Sequence, residues 1–208
     1  MLSDRRLTWL FFALTLVLAG YFMEWLSHAG AGLSYTGLEI GEQAKFLSQV
    51  RSGEIVPGRS LFYVPPISVG LIIVLTSSRW PDYRWQTWVA RGLGPGIALL
   101  AFPAFEALGT ESAEWLWRVV LIGLVFALAI ASPLLNRIRP ARFWAIVGVI
   151  AFLGAVMPAW VFLEVRAAYS VVLQQSLGVG LGFWLNTVGQ LMVGLLALVT
   201  FSKQPRSA

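Results

Sequence analysis

The chain has 208 residues, 58% of them hydrophobic and only 12% charged, where a soluble domain is about a quarter charged. That balance belongs to proteins that cross a membrane several times. With no cysteine and a single histidine, His28, the chain excludes disulfides, thiolate catalysis, iron–sulfur clusters, Cys-ligated zinc, bis-His haem and multi-His metal sites.

Six apolar stretches are long enough, or nearly so, to cross about 30 Å of hydrocarbon as helices. In chain order they cover 7–27, 61–78, 86–105, 115–135, 143–163 and 177–201. The first follows "SDRR". Its apolar core, Leu7 to Leu26, is longer than that of a secretory signal, so it reads as a retained helix. The second opens with "FYVPP", where Pro65 and Pro66 suit a first turn or a kink. The third is interrupted by Gly92, Gly94, Pro95, Gly96 and Pro103. Such a run marks a helix start, or a break that exposes backbone groups to a ligand. No internal repeat or low-complexity linker is visible. The expected fold is an all-α polytopic bundle forming one integral membrane domain over residues 1–208.

The connections sort by alternate sides. One side holds Arg5, Arg6, Arg79, Arg84, Arg91, Arg137, Arg139, Arg142, Lys203 and Arg206; the other holds Lys45, Arg51, Arg59, Arg118 and Arg166. The positive-inside rule then places both termini in the cytoplasm, in what reads as a bacterial cytoplasmic membrane. The formal net charge of +5 is explained by this topology, with an added attraction for anionic lipid head groups, and not by nucleic acid. The ten tryptophans fall mostly near span ends, as an aromatic belt does.

Between the first two spans lies the one long polar segment, "YTGLEIGEQAKFLSQVRSGEIVPGR", Tyr35 to Arg59. "TGLE" is a capping box in which Thr36 and Glu39 satisfy each other's backbone N–H groups. Gly53 supplies a stop, and "VPGR" reads as a turn. An external amphipathic helix of about four turns is expected over 37–52. Ile40, Ala44, Leu47 and Val50 form its apolar stripe, and Glu42 is placed to pair with Lys45. Glu39 and Glu42 belong to its wet side. The helix suits an interfacial seal, a lid over an outward cavity, or a docking surface.

Other polar groups mark candidate sites. Glu24 and His28, four residues apart at the outer end of the first span, can share one helix face and relay protons or bind a cation. Two snorkelling groups at a helix end are the plainer reading. Glu106 ends the third span. Asn186 and Gln190 in "GLGFWLNTVGQLMVG" are also four apart, and serve either as helix–helix hydrogen bonds or as a polar cavity lining. No catalytic motif, metal cluster or cofactor fingerprint is present, so neither a catalytic residue nor a cofactor is expected.

Three functions are compatible with this pattern. The first is a small-molecule binding or transport subunit whose external helix acts as a lid. The second is a non-catalytic accessory or scaffold subunit that meets a membrane-protein partner. The third is a membrane enzyme that uses Glu24 and His28 on a lipid-linked substrate at the outer face. The layout of six helices with a long first loop is similar to that of the substrate-binding subunits of energy-coupling-factor vitamin transporters. Their Ala-x-x-x-Ala docking motif is not found in the first span, and "ALLAFPAFEA" in the third does not match it.

Overall fold

The computed structural model describes residues 4–28, 33–55, 58–105 and 112–203. The elements are α1 (Asp4–Phe22), β1 (Glu24–His28), β2 (Leu33–Thr36), α2 (Gly37–Gln43), α3 (Ser48–Arg51), α4 (Val64–Ser77), α5 (Trp85–Ala98), α6 (Ser112–Ile130), α7 (Ser132–Leu135), α8 (Pro140–Val172), β3 (Gly178–Val179) and α9 (Leu181–Ser202). A 3-10 stretch, Arg59–Tyr63, leads into α4, and another, Leu99–Ala101, continues α5. Among the described residues, four helical segments are long and apolar enough to cross a membrane: Arg5–Phe22, Arg59–Ser77, Pro140–Val172 and Leu181–Ser202. The apolar part of α6, Trp115–Ile130, is shorter. At 14 residues, α5 extends about 21 Å.

Close contacts fix the helix directions. Gly20 of α1 lies against Gly182 and Asn186 of α9, while Ala13 lies against Gly189, so α1 and α9 are antiparallel. Gly70 and Val74 of α4 meet Ala98 and Gly94 of α5 in the same reversed order. Along α8 and α9, Gly154 faces Gln190, Ala151 faces Gly194 and Gly148 faces Ala197. Helices α1, α4, α5, α6, α8 and α9 therefore alternate in direction, and both ends of the described chain lie at one end of the bundle, here called the terminal end. The opposite end carries the sheet. Helix α4 is the central one: 83% of its segment is buried, against 33–39% for the other three long helices. Leucine, valine, phenylalanine and tryptophan side chains stay exposed along the outsides of α1, α5, α6, α8 and α9. A bundle surrounded by hydrocarbon can tolerate such a surface, whereas water penalises contiguous apolar area.

Several expectations need correcting. The fold is mostly helical but not all-α, because β2, β1 and β3 form a three-stranded antiparallel sheet in that order. Helix α1 stops at Phe22, short of the expected residue 27. The Trp25 carbonyl accepts from Gly180 N–H at 2.7 Å, and Leu26 and Ser27 pair with Val179 and Gly178. These bonds come from a part of the chain far away in sequence, and they outweigh a helical continuation. The expected external helix over 37–52 is broken. It runs as α2, a 3-10 turn Ala44–Phe46, and α3, with Leu47 extended between them (φ −69°, ψ 133°). The fourth expected span splits, since α6 ends at Ile130 and α7 is separate. The fifth is longer than expected: α8 has 33 residues, about 50 Å, and overshoots a hydrocarbon layer of about 30 Å. Helix α5 runs through Gly94 and Pro95 without a break, and Gly94 serves close packing against Gly70.

Local chemistry accounts for the helix starts. Pro65 and Pro66 occupy the first turn of α4, where a missing N–H costs nothing. Pro140 opens α8 after an extended Arg139. At the sheet end, Trp25 is fully buried and is not part of an aromatic belt. Its ring meets Phe62, Phe162 and Phe183 edge-on at 5.6–6.0 Å, and its indole N–H donates to the Gly20 carbonyl at 2.8 Å.

Candidate functional site

The segment that holds α2 and α3 is fastened to the bundle by a polar cluster that the apolar pattern does not announce. Arg118, in α6, is 4% exposed. Its Nε donates to the Ala101 carbonyl at 2.8 Å, and its guanidinium lies 3.5 Å from the centroid of the Tyr63 ring. Both contacts replace water around a charge that would otherwise be costly in an apolar helix. The Tyr63 hydroxyl donates to Glu42 Oε1 at 2.5 Å. Glu42 Oε2 lies 3.5 Å from both Arg59 Nη1 and Lys45 Nζ. Arg59 also donates to the Gly41 carbonyl at 3.3 Å. Gly41 is needed here, since a Cβ at that position would sit 3.0–3.1 Å from the Tyr63 ring and hydroxyl. The Tyr21 hydroxyl is buried with no hydrogen-bond partner among the described residues, within electrostatic reach of Tyr63, Arg118 and Glu42.

Burial works to raise the Glu42 carboxyl. The Tyr63 hydrogen bond and the charges of Arg59, Lys45 and Arg118 outweigh it, so the carboxyl is held below its ordinary value. Beside the cluster lies an open groove of about 340 Å³, walled by Leu38, Glu39, Glu42, Tyr63, Leu100 and Phe102.

The apolar stripe faces inward as the spacing predicts. Ile40, Ala44 and Leu47 are buried and Val50 is half-buried against the same core. They rest on Tyr21, Trp25, Phe62, Phe162 and Phe183, so packed aromatic side chains fill the space beneath them. The capping box is present: Thr36 Oγ1 accepts from Glu39 N–H at 3.3 Å, and Glu39 Oε2 accepts from Thr36 N–H at 3.0 Å. Glu39 is thereby occupied with the start of α2. Gly53 follows α3 with φ +77°, the left-handed stop expected of it.

Glu24 and His28 do not share a helix face. They lie at opposite ends of β1, about 13 Å apart along a strand instead of one helical turn. Glu106 lies outside the described residues. Asn186 and Gln190 are both fully buried and go to different helices. Asn186 Nδ2 donates to the Val17 carbonyl at 3.0 Å, and Gln190 Nε2 donates to Ser68 Oγ at 2.6 Å. These are interhelical hydrogen bonds in a low-dielectric interior. The structure does not bring them together with Glu24 or with the Glu42 cluster.

Tyr63, Arg59 and Arg118 are functional candidates missing from the sequence reading, which counted the two arginines only as loop charge. An arginine inside "WLWRVVLIGLVFALAI" was the available signal, because an ionised group in an apolar helix must be met by a partner. At the terminal end, Arg91 is likewise buried, pairs with Asp82 and lies 5.0 Å from the Trp88 ring centroid. Arg79 donates to the carbonyls of Ile138 and Asn136 and lies over the Phe143 ring. Comparison of the chain with protein families, curated proteins and solved structures finds no match.

Proposed function

We propose that the chain is a multi-pass membrane protein that works as a non-catalytic accessory subunit, offering its rigid outer cap to a membrane-protein partner. In this reading α1, α4, α5, α6, α8 and α9 make six crossings. Both termini are cytoplasmic, and the sheet, α2 and α3 lie outside. The observation that carries it is the solid aromatic packing under Ile40, Ala44 and Leu47. A lid needs a space to close over, whereas a docking platform needs a firm base. The Glu42–Tyr63–Arg118 cluster supplies the fastening, and Phe46, 70% exposed, projects from the cap. A photo-crosslinking residue at Phe46 is expected to yield one discrete adduct with another membrane protein in native membranes. Adducts with lipid alone would sink the reading. For orientation, a cysteine at Gln49 in this cysteine-free chain should react with an impermeant thiol reagent on intact cells, and one at Lys203 only after permeabilisation.

The groove beside Glu42 favours a second reading, a small-molecule binding or transport subunit with its site at the outer mouth. Its volume is within the range of ligand pockets, and it combines carboxylates with aromatic walls. A non-lipid small molecule that co-purifies with the protein and is lost on Glu42→Ala would favour this reading over the first.

A further inference from the structure

We infer that Tyr21 and Arg118 bind a small inorganic anion of the halide class beneath α2. The inference stands apart from both readings above, because it concerns how the cap is fastened and not what the cap or the groove meets. Three elements bring the groups together. Tyr21 lies in the last turn of α1, Tyr63 ends the 3-10 stretch before α4, and Arg118 lies in α6. Helix α2 lies over the two tyrosines. A Cβ on Gly37 would sit 2.9 Å from the Tyr21 carbonyl oxygen, and one on Gly41 would sit 3.0–3.1 Å from the Tyr63 ring and hydroxyl. These glycines are about one helical turn apart, a rise of about 6 Å. The Arg118 guanidinium lies 3.5 Å from the centroid of the same Tyr63 ring. Tyr21, Tyr63 and Arg118 are 0%, 2% and 4% exposed, so bulk water does not solvate this charge.

The place is rich in hydrogen-bond donors and poor in acceptors. Arg118 Nε donates to the Ala101 carbonyl. The other N–H groups of this guanidinium meet no acceptor among the described residues, and no carboxylate there lies within ion-pair distance of it. The Tyr21 hydroxyl, within electrostatic reach of Arg118, has no partner among them either. Glu42, the acid of the cluster, is engaged on both oxygens: Oε1 accepts from Tyr63, and Oε2 faces Arg59 and Lys45. A guanidinium taken out of water is costly without a counter-charge, and so is a buried hydroxyl without a partner. A water would bring hydrogens of its own to a place short of acceptors. An anion brings only lone pairs, and it answers the charge together with the hydrogen bonds. Side chains this enclosed restrict the guest to very few atoms, which selects a halide over an organic carboxylate. Tyr63 also walls the open groove beside Glu42, so a route to solvent lies next to the site.

The test follows the thermal transition of the full chain in detergent as potassium chloride replaces potassium gluconate at constant ionic strength. A saturable rise of about 3 °C is expected, and potassium bromide should reproduce it. Tyr21→Phe keeps the ring and removes the hydroxyl. It should raise the half-saturating chloride concentration about tenfold. In gluconate the same variant should be as stable as the parent chain or more so, because a buried unpaired hydroxyl is gone. Crystals grown with bromide should show an anomalous peak between the Tyr21 hydroxyl and the Arg118 guanidinium. Equal transitions in the two salts would overturn the inference and leave water, or the chain's own acids, to complete the surroundings of Arg118. So would a halide response that Tyr21→Phe does not shift. A bromide peak found only elsewhere, an adventitious ion only, would overturn it as well.

Discussion

Two seams of this bundle use the same small residues and end up differently. Where α1 meets α9, a Cβ on Gly182 would sit 2.6 Å from the carbonyl oxygens of Gly20 and Met23, and one on Gly189 would sit 2.8 Å from that of Ala13. The backbones touch, which allows Cα–H···O contacts and maximal dispersion between helices that gain no hydrophobic drive from lipid. Where α8 meets α9, Gly148 and Gly194 would hold their Cβ atoms 3.5 and 3.9 Å from the nearest neighbours. There the glycines leave space on the outer side of the contact. A small residue on a membrane helix can therefore close a seam or hollow one out, and only the partner surface decides which.

This contrast can be broken by substitution. The largest effect is expected from Gly182→Val, which drives a branched side chain into the α1 backbone. A loss of about 3 kcal/mol is expected in a detergent denaturation series, and a tolerated valine would mean that the α1–α9 contact is not tight. Gln190→Leu should cost about 1 kcal/mol by removing the Ser68 bond. The loss should vanish in a Ser68→Ala background if that bond is its source. Gly148→Ala and Gly194→Ala should run the other way, raising stability by about 0.5–1 kcal/mol, because alanine is the better helix former and the room exists. A destabilised Gly148→Ala chain would show that the α8–α9 seam is closed.

The smallest expected effect lies outside both seams, at the cap. A carboxyl held below its ordinary value stabilises the fold at every pH above that ordinary value. It ceases to do so as the pH falls through the lowered one. For Glu42 the stabilisation should thus be full above the usual glutamate value of about 4.3 and fade below it. The check is to follow thermal transitions downward from neutral pH. Glu42→Gln should flatten the part of the acid response that belongs to this group, and an unchanged profile would mean that the carboxyl is not coupled to the fold.

The sequence was readable where the information is local. The second span, expected over 61–78, corresponds to Arg59–Ser77, because two prolines and an uninterrupted apolar run define it. The capping box at Thr36 and the stop at Gly53 also depend only on their neighbours. Contacts between distant residues were not readable. β1 is a strand because Gly178 and Val179 pair with it. Arg118 is tolerated because Tyr63 and Ala101 from other segments receive it. The even spacing of Asn186 and Gln190 suggested one shared polar face, but the bundle sends their amides to α1 and α4 separately. The four-turn external helix failed at Leu47, which turns extended and so keeps its side chain in the core.

The pairing of β1 with β3 also has a consequence for the order of synthesis. α1 and β1 are made well before their partners α9 and β3, which come about 150 residues later. At about 5–20 residues per second this is a wait of roughly ten to thirty seconds. Throughout that time the glycine face of the first helix and an unpaired strand edge stand without their native contacts. The contacts of α1 and β1 can only be completed once α9 and β3 have been made, so emergence of α9, and not of any earlier span, sets the moment at which the bundle can close.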